Sequence, residues 1–530
     1  TKEFINYSEP HIIGLLKTLN VNNKNIEKYK YDAKGNVTQA TKLGVDNFYN
    51  YENGLLSSST DANGSTTFYK NYLGTVPTLV QHPDDTKKIQ LVNPDNTIQS
   101  ITNAGGNTTS YNYNILGQLT KEKPALGEAI NYTYGANTKE IQNGAYNSHE
   151  QYSAYNKLLF KIENNSRSIN YSYDALGRKI FESYPGNSSE NNLGHYYQYD
   201  SLDRIVADCY PNKDSDCTIF NYWANNTINI TKPNGEYRTV TYRSYGVPDN
   251  GKIIKIKEDS RETIIERNDL DYITSVTQGK ITKKYTYDKN YNISKYQEPE
   301  TGTVEYKYDA VGNLLEKNQN GEITKYEYHP KNYKLLKTSY SDSSGNVTYN
   351  YDASGNLLKA VKGDVIQEYE YNQVDKLISE TLKYDGNIFD VKYTYNSLND
   401  LASITYPDKS VIDYNPNVYG LPTKVGGYIN NISYHANNHW ASMDLGNGVG
   451  AVAALDSRNR INSYKYGSLN ADYNFDSNNN LINLALSDSA DANFNHKLSF
   501  GYDKLGRITS AQGPWGINSY GYDINDNLTS

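Results

Sequence analysis

The chain has 530 residues and a net charge of −8, so it is too long for one ordinary core and lacks the basic excess typical of nucleic-acid binding. It contains 54 tyrosines, 38 glycines and a single methionine, which predicts an all-β protein because tyrosine favours strands and glycine favours turns. The mean hydropathy of −0.79 is low, but the small net charge and the many aromatic rings exclude a disordered chain.

The N-terminal residues give no indication of where the protein is located. Residues 1–20 lack the charged start, the long apolar run and the cleavage site of a signal peptide. The chain begins without methionine and ends within a repeat, YGYDINDNLTS, so we expect it to be a piece of a longer polypeptide. No stretch approaches eighteen consecutive apolar residues, so we expect no transmembrane helix.

One motif recurs along the whole chain. It begins as YKYDAKGNV at Tyr29, and returns as YSYDALGRKI at Tyr171, YKYDAVGNL at Tyr306 and YNYDASGNL at Tyr349. Further copies are FGYDKLGRI at Phe500 and YGYDINDNL at Tyr520. Adjacent copies lie 20 to 27 residues apart, and the copies are degenerate at about 52–110 and 200–285. We therefore predict a single repeat array over residues 1–530.

Each copy has the pattern of one β-hairpin. In the copy at Tyr171, alternation along a strand places Tyr171 and Tyr173 on one face. Asp174 is suited to begin a turn, since its carboxylate can accept the backbone N–H two residues on. Gly177 is predicted to be left-handed, which gives a three-residue hairpin with a bulge, and Arg178 begins the return strand.

The repeat positions that define the motif are assigned a structural role. They are Tyr29, Tyr31, Asp32, Gly35, Tyr171, Tyr173, Asp174, Gly177, Tyr199, Asp200, Tyr287, Asp288, Tyr306, Tyr308, Asp309, Gly312, Tyr349, Tyr351, Asp352, Gly355, Tyr502, Asp503, Gly506, Tyr522 and Asp523. A second turn, a hairpin with a two-residue loop, is predicted at the Asn-Gly pairs 53–54, 63–64, 143–144, 234–235, 320–321 and 447–448.

The number of repeats sets the scale of the sheet. About 25 hairpins, with strands spaced by roughly 4.8 Å, make a ribbon about 240 Å long. Twisted open sheets rarely exceed about ten strands without curling, so the ribbon is expected to coil. Stacked tyrosine rings could cover a thin sheet of this kind while their hydroxyl groups stay near water.

The two cysteines, Cys209 and Cys217, flank a loop rich in Pro, Asn and Asp. Such a loop could bring them together as a disulfide, which would fit an oxidising compartment. Two unrelated buried thiols remain the alternative.

No other pattern in the sequence indicates catalytic chemistry strongly. The repeated Asp already has a turn-forming role at each copy. His435 and His439 have the i, i+4 spacing of a helical zinc site, but their surroundings are rich in Asn and strand-like. LGNGVG, from Leu445, lacks the Lys-Ser/Thr of a phosphate loop. The segment around Asp488 and Asp491 lacks the Gly and the terminal Glu of a calcium loop. We expect no catalytic residue, metal or cofactor.

The repeated Y-x-Y-D-x-x-G-[NR]-[LI] motif resembles the Rhs, or YD-repeat, family over essentially the whole chain. TDANGSTTFY from Thr60 and LGNGVGAVAALDSRNRI from Leu445 have the character of that family's sequences between repeats, and Leu455 takes the Tyr position before Asp456. The resemblance implies a continuous array of hairpins that forms a spiralling sheet and curves into a hollow shell. The core segment with a D-P-x-G motif, which releases the toxin in toxin-bearing members, is not in this sequence, so no self-cleavage residue is assigned.

The resemblance also implies a function and a location. The first hypothesis is a non-catalytic segment of a shell, as in Rhs proteins and Tc toxin B and C components, around a polypeptide toxin from the same longer chain or a partner subunit. The second is an adhesion or carbohydrate-binding array at the cell surface, as in teneurins or wall-associated proteins, with a glycan or receptor as partner. Either implies a secreted or cell-surface protein, in bacteria an exported one.

Overall fold

The computed structural model describes residues 1–7, 12–186, 192–213, 216–244, 251–259, 261–342 and 344–530. The described residues contain no helix and form 48 strands. The strands are β1 Lys2–Tyr7, β2 Ile12–Val21, β3 Lys24–Tyr31, β4 Val37–Lys42, β5 Val45–Glu52, β6 Leu55–Thr60, β7 Thr66–Leu73, β8 Val76–Gln81, β9 Lys87–Val92, β10 Ile98–Thr102, β11 Thr108–Tyr113, β12 Leu119–Lys123, β13 Ile130–Tyr134, β14 Thr138–Asn143, β15 Tyr146–Tyr152, β16 Leu158–Glu163, β17 Arg167–Tyr173, β18 Lys179–Ser183, β19 Gly194–Tyr199, β20 Ile205–Cys209, β21 Cys217–Trp223, β22 Thr227–Thr231, β23 Tyr237–Arg243, β24 Lys252–Glu258, β25 Arg261–Arg267, β26 Ile273–Gln278, β27 Ile281–Tyr287, β28 Ile293–Glu298, β29 Gly302–Tyr308, β30 Leu314–Gln319, β31 Glu322–Tyr328, β32 Leu335–Tyr340, β33 Asn346–Tyr351, β34 Leu357–Lys362, β35 Val365–Tyr371, β36 Leu377–Tyr384, β37 Asn387–Tyr395, β38 Leu401–Thr405, β39 Val411–Asp413, β40 Ile429–Tyr434, β41 Trp440–Leu445, β42 Gly450–Leu455, β43 Ile461–Tyr466, β44 Leu469–Phe475, β45 Leu481–Asp488, β46 Asp491–Tyr502, β47 Ile508–Gly513 and β48 Gly516–Ser519.

The strands pair in the order of the sequence, each antiparallel to the next. β1 to β39 form one sheet and β40 to β48 form a second. The hairpins continue without interruption through the stretches whose repeats are degenerate in sequence, as β7 pairs with β8 and β22 with β23. The fold is therefore a ribbon of hairpins, and the degenerate motifs change the local sequence without changing the architecture.

The two sheets meet at a segment that contains two prolines. Pro416 and Pro422 form an isolated bridge between β39 and β40, where a regular ladder would need backbone N–H groups that proline lacks. Hydrogen bonds still cross the segment, since Thr423 N–H donates to Tyr414 O and Ile432 N–H donates to Thr423 O. The ribbon thus stays connected, although the strand ladder is interrupted here.

The ribbon coils back upon itself. The turn between β6 and β7 touches the turn between β29 and β30, where Asn63 Nδ2 donates to Asp309 Oδ2 at 2.8 Å. The turn between β8 and β9 touches the turn between β31 and β32, where Asn332 Nδ2 donates to Asp84 Oδ2 at 2.7 Å. Each pair of turns is separated by 23 strands, β7 to β29 in the first case. We call β5–β27 the first coil and β28–β48 the second coil.

The two edges of the ribbon differ in their turns. The YD rim carries the turns that follow the second tyrosine of each repeat, such as Tyr31, Tyr173 and Tyr308. The opposite rim carries the turns that join one repeat to the next. The YD rim of the second coil lies on the opposite rim of the first coil, and we call this contact the seam.

The wall of the spiral is thin. The chain exposes 30209 Å² of surface, whereas a compact monomer of its 59.9 kDa would expose about 19,000 Å². Its buried apolar side chains are mostly small, such as Ala207, Ala451 and Ala453. A single sheet with both faces accessible accounts for the excess surface, and the fold is the wall of a hollow β-shell.

Candidate functional site: the repeat turn and the seam

The repeat turn is built around its aspartate. Asp174 Oδ1 accepts the backbone N–H groups of Leu176 and Arg178, both at 3.0 Å. Gly177 has a φ of 76°, which a side chain would strain, and the register of β17 and β18 shifts between Ser172 and Tyr173. The carboxylate thus fixes a three-residue turn with a bulge on its strand.

The residue after the turn glycine completes this arrangement, a role that the sequence interpretation missed. Arg178 Nε donates to Asp174 Oδ2 at 2.6 Å, and in another copy Asn36 Nδ2 donates to Asp32 Oδ2 at 2.9 Å. The same pairing recurs at Asp200–Arg204, Asp288–Asn292, Asp309–Asn313, Asp352–Asn356, Asp503–Arg507 and Asp523–Asn527. The sequence could have indicated this role, because the residue after the turn glycine in the motif is Asn or Arg. Both side chains can reach the second oxygen of the aspartate carboxylate.

At Asp32 and Asp523 these hydrogen bonds favour the ionised carboxylate. Hydrogen bonds from the Asn36 side chain lower the pKa of Asp32, and those from Asn527 do the same for Asp523. A carboxylate whose two oxygens accept such bonds is stabilised as an acceptor and is poorly suited to donate a proton. The geometry therefore supports a structural role for the repeated Asp.

In several repeats the second tyrosine connects neighbouring repeats. Its hydroxyl donates to a backbone carbonyl of an earlier strand, as Tyr199 does to Lys179 O at 2.7 Å. The same bond is made by Tyr31, Tyr287, Tyr502 and Tyr522 to Leu16, Ile273, Leu481 and Ile508. Each of these hydroxyl groups thus has a partner in an earlier strand, a contact that the sequence interpretation did not identify.

Cations cover the rings of several of these tyrosines. The Arg178 guanidinium lies 4.8 Å from the centre of the Tyr199 ring, and Arg507 lies 4.7 Å from that of Tyr522. Lys334 lies 5.7 Å from the Tyr351 ring. Each cation belongs to the repeat before the ring that it covers, so ring and cation together join consecutive hairpins.

The first tyrosines of the motif and the remaining second ones lie half-buried on the same sheet face. Tyr29 and Tyr31 have ring centres 6.4 Å apart, as have Tyr306 and Tyr308. Burial raises the pKa of the motif tyrosines that are partly covered, among them Tyr171, Tyr173, Tyr308 and Tyr351. The hydroxyl oxygens of Tyr349 and Thr338 lie 3.5 Å apart.

The turn glycines Gly35, Gly312, Gly355 and Gly506 all have positive φ, as predicted for the left-handed position of the motif.

The predicted Asn-Gly hairpins divide into three kinds. At 53–54 and 320–321 the pair itself forms a two-residue loop with both φ angles positive. At 63–64, 234–235 and 447–448 the glycine closes a longer turn that begins three residues before it, at Asp61, Lys232 and Leu445. At 143–144 the loop is shifted to Gly144 and the residue after it, because Asn143 pairs with Tyr146. The two-residue prediction is therefore wrong at four of the six pairs.

The other candidate motifs also lie in hairpin turns. His435 takes the Asp position of a YD turn, with its N–H bonded to His439 O, and its Nε2 lies 2.8 Å from Ala453 O. The glycines of LGNGVG join β41 to β42, and Asp488 pairs with Asp491 across a two-residue turn. Within the described residues, no three His, Cys, Asp or Glu side chains are placed to hold a metal ion. No helix of those residues could cross a membrane.

Apolar and aromatic side chains of the second coil pack on the first coil at the seam. Leu398, in a YD turn of the second coil, lies against Gly144, where a Cβ atom would come within 3.0 Å of Leu398 Cδ2. Tyr419 sits edge-on to the Tyr146 ring at 6.4 Å between centres, and its hydroxyl donates to Glu163 O at 3.2 Å. The seam is therefore made mainly by turn residues, which fit where the first coil has glycine or short polar side chains.

A disulfide lies beside the most buried cation of the seam. Cys209 and Cys217 are bonded to each other and face each other across β20 and β21. Arg458 of the second coil has a side chain only 7% exposed and forms an ion pair with Asp216. Its guanidinium lies 4.8 Å from the centre of the Tyr210 ring, and it donates to Ser477 O at 2.8 Å. The disulfide thus closes the loop that receives Arg458.

We expect acid to weaken the seam at Asp84. Burial of this carboxyl opposes ionisation, but hydrogen bonds from Thr86 and from Asn332 of the second coil outweigh it and lower the pKa to about 2. A lowered pKa in the folded state contributes stability above the ordinary carboxyl value, and that stability is lost as the pH falls towards about 2. Hydrogen exchange of residues 329–334 should be slower in the wild type than in Asp84→Asn at about pH 5, and equal in the two proteins at about pH 2. An equal difference at both pH values would contradict this assignment.

The comparisons with known proteins identify the fold. No family model matches the chain, and no curated protein matches it in sequence. The crystal structure of TcdB2-TccC3-Cdc42 is similar over 100% of this chain and 36% of that chain, with a TM-score of 0.69 and 11% identity. The crystal structure of TcdB2-TccC3 has a TM-score of 0.68 and 12% identity over 100% of this chain and 34% of its own.

A third similar structure is the Photorhabdus luminescens Tc holotoxin pore with a mutation in TccC3. It has a TM-score of 0.63 and 11% identity, and covers 100% of this chain and 36% of that chain. The chain thus spans about a third of the length of the structures that it matches. The predicted fold, a spiralling sheet of β-hairpins that forms the wall of a hollow β-shell, is confirmed.

Proposed function

We propose that the chain is a non-catalytic segment of a β-shell that encloses a polypeptide, either a toxin or another cargo. The closed coil carries this proposal. A circular coil of 23 strands, at roughly 4.8 Å per strand, is about 35 Å across between backbones and about 25 Å across inside the side chains. An α-helix with its side chains is about 10 to 12 Å wide, so such a space admits a polypeptide.

The chemistry of the wall favours containment over recognition of a small ligand. The motif tyrosines and aspartates form hydrogen bonds within and between repeats, so these side chains stabilise the sheet that forms the wall. Carbohydrate binding, the alternative that the family resemblance implies, would need uncovered ring faces, and among the motif tyrosines Arg178 and Arg507 cover the rings of Tyr199 and Tyr522. The exposed rings, such as Tyr428 and Trp223, lie outside the repeated motif. A large polar surface is suited to a disordered cargo, which makes no single specific pocket necessary.

The cargo in this proposal comes from the same longer polypeptide or from a partner subunit. Similarity to structures of TcdB2-TccC3 and of a Tc holotoxin pore supports a toxin as that cargo. The Cys209–Cys217 disulfide supports an oxidising compartment, so we place the protein outside the cell or at its surface.

Protease protection tests containment. A disordered segment of about 60 residues with several trypsin sites, long enough to fill part of the coil, would be joined after Ser530. We expect trypsin to cut it far more slowly than the same segment joined to an unrelated folded domain. The Arg458→Ala variant, which removes a seam contact, should raise the rate. Equal cutting rates on the two carriers would contradict containment, and hydrolytic activity of the isolated chain would contradict the non-catalytic part.

A further inference from the structure

The Cys209–Cys217 disulfide closes the loop between β20 and β21, which meets a turn of the second coil at the seam. Two partners of Arg458 of the second coil are the direct sequence neighbours of the cysteines. Tyr210 follows Cys209, and its ring centre lies 4.8 Å from the guanidinium. Asp216 precedes Cys217 and forms the ion pair with Arg458. One covalent bond therefore fixes two partners of Arg458 at once.

The burial of Arg458 makes its place in the seam depend on this loop. Its side chain is only 7% exposed, so the charge is largely removed from water. A buried cation that loses its carboxylate partner is strongly unfavourable, because nothing then offsets the loss of hydration. If the loop moves and takes Asp216 with it, we expect Arg458 to leave the seam for water.

Contacts on either side of Arg458 define the length of wall that this loop helps to close. On one side Arg167 Nη1 donates to Asn438 Oδ1 at 3.1 Å, and on the other Asn478 Nδ2 donates to Glu236 Oε2 at 3.2 Å. Arg167 begins β17 and Glu236 directly precedes β23, so six strand spacings, or roughly 29 Å, separate the two contacts. An α-helix is about 10 to 12 Å wide with its side chains, so a gap of this length would let a polypeptide pass.

We propose that the Cys209–Cys217 disulfide is a reducible latch on the wall. Its reduction frees the loop, releases Arg458 and opens the seam between the two flanking contacts, so that an enclosed polypeptide can leave. This inference rests on the proposed function as an enclosing shell. Disulfides persist outside the cell and are reduced in the cytosol, so the latch would stay closed outside and open after entry into a reducing compartment.

The chemistry of the latch is thiol–disulfide exchange with a dithiol reductant. Cys209 is 0% exposed whereas Cys217 is half-buried, so a thiolate of the reductant attacks the Cys217 sulfur. The S–S bond breaks, and the Cys209 sulfur leaves as a thiolate and takes up a proton. The second thiol of the reductant then displaces Cys217 from the mixed disulfide. The reductant ends as a disulfide and both cysteines end as thiols, a transfer of two electrons and two protons.

Trypsin digestion tests the latch on oxidised protein and on protein reduced with dithiothreitol, which is removed before trypsin is added. Cleavage within a folded region reports the population of its locally open state. We expect cleavage after Arg458 to be at least about tenfold faster in the reduced protein. The Cys209→Ser, Cys217→Ser variant should be cut at the fast rate with or without this treatment. The control is cleavage after Arg261, a seam residue paired with Asp526 away from the loop, which should not change.

Release is measured on the chain that carries the trypsin-sensitive segment after Ser530, which should be cut faster once the disulfide is reduced. Equal cleavage after Arg458 in the oxidised and reduced proteins, or a disulfide that dithiothreitol leaves intact, would overturn the latch. Faster cleavage after Arg458 without faster cutting of the segment would overturn release through this gap. Rapid cutting of the segment in the oxidised protein would overturn containment and with it release, whereas cleavage after Arg458 would still decide the latch.

Discussion

The Cys209→Ala, Cys217→Ala variant is expected to lose about 2.5 kcal/mol of local stability, because the bond closes a loop of eight residues in the unfolded chain. The loss should extend beyond this loop. Asp216 and Tyr210 lie within it and hold Arg458 of the second coil, so the seam should open more easily there. Hydrogen exchange is the appropriate measurement, since repeat arrays of this size do not unfold in one step.

The distribution of the effect decides between two explanations. Amides of residues 205–223 and of residues 456–460 should both exchange faster in the variant, whereas those of residues 306–328 should be unchanged. Reduction of the wild type should reproduce the result and serves as a control for the two substitutions. If only residues 205–223 change, the disulfide stabilises its own hairpin and has no role in the seam.

The second large effect is expected at Gly279. Gly279 and Gly363 each occupy the first position of a two-residue turn on the opposite rim, and each has a φ of 57°. Alanine at either site strains the backbone by about 1 to 2 kcal/mol. At Gly279 its Cβ would also come within 2.6 Å of Ile524 Cγ2, whereas nothing lies within 4 Å at Gly363. We expect Gly279→Ala to cost about 1 to 2 kcal/mol more, because the packed seam must shift.

Gly363→Ala is the matched control, since it has the same backbone strain without a neighbour. Hydrogen exchange of residues 523–527 should increase in Gly279→Ala and stay at the wild-type rate in Gly363→Ala. A similar loss of stability in both variants, with no change in the hydrogen exchange of residues 523–527, would show that the seam contact at Gly279 does not contribute to stability.

The local structure could be predicted well from the sequence. Asp174 and Gly177 define their turn by short-range geometry, which depends only on neighbouring residues, and the tyrosine alternation defines the strands. The partner of Asp174 Oδ2, Arg178, was visible in the motif but was interpreted only as the start of a strand. The turn at Asn63 was mistaken for a two-residue hairpin because Asp61, two residues earlier, initiates a longer turn that uses the same glycine.

The seam could not be predicted from the sequence. Its contacts join residues 242 to 274 positions apart, such as Asn478 to Glu236 and Asn459 to Pro185. Which turns meet depends on how many strands complete a coil, and that number follows from the accumulated twist of the sheet. No single residue determines it. The importance of Arg458, in a degenerate copy whose tyrosine is replaced by Leu455, is accordingly visible only in the assembled spiral.

The spacing between partners at the seam is not constant, and this bears on how such a chain can change its length. The partners are 246 residues apart at Asn63, 271 at Arg167 and 244 at Asn234, a variation of about one hairpin. The coils thus tolerate a slip of one repeat, because turn meets turn at every second strand. A gene for such a protein can therefore gain or lose a repeat by duplication or deletion. The turns of the second coil would then pack on the turns of the first coil that lie one repeat further along.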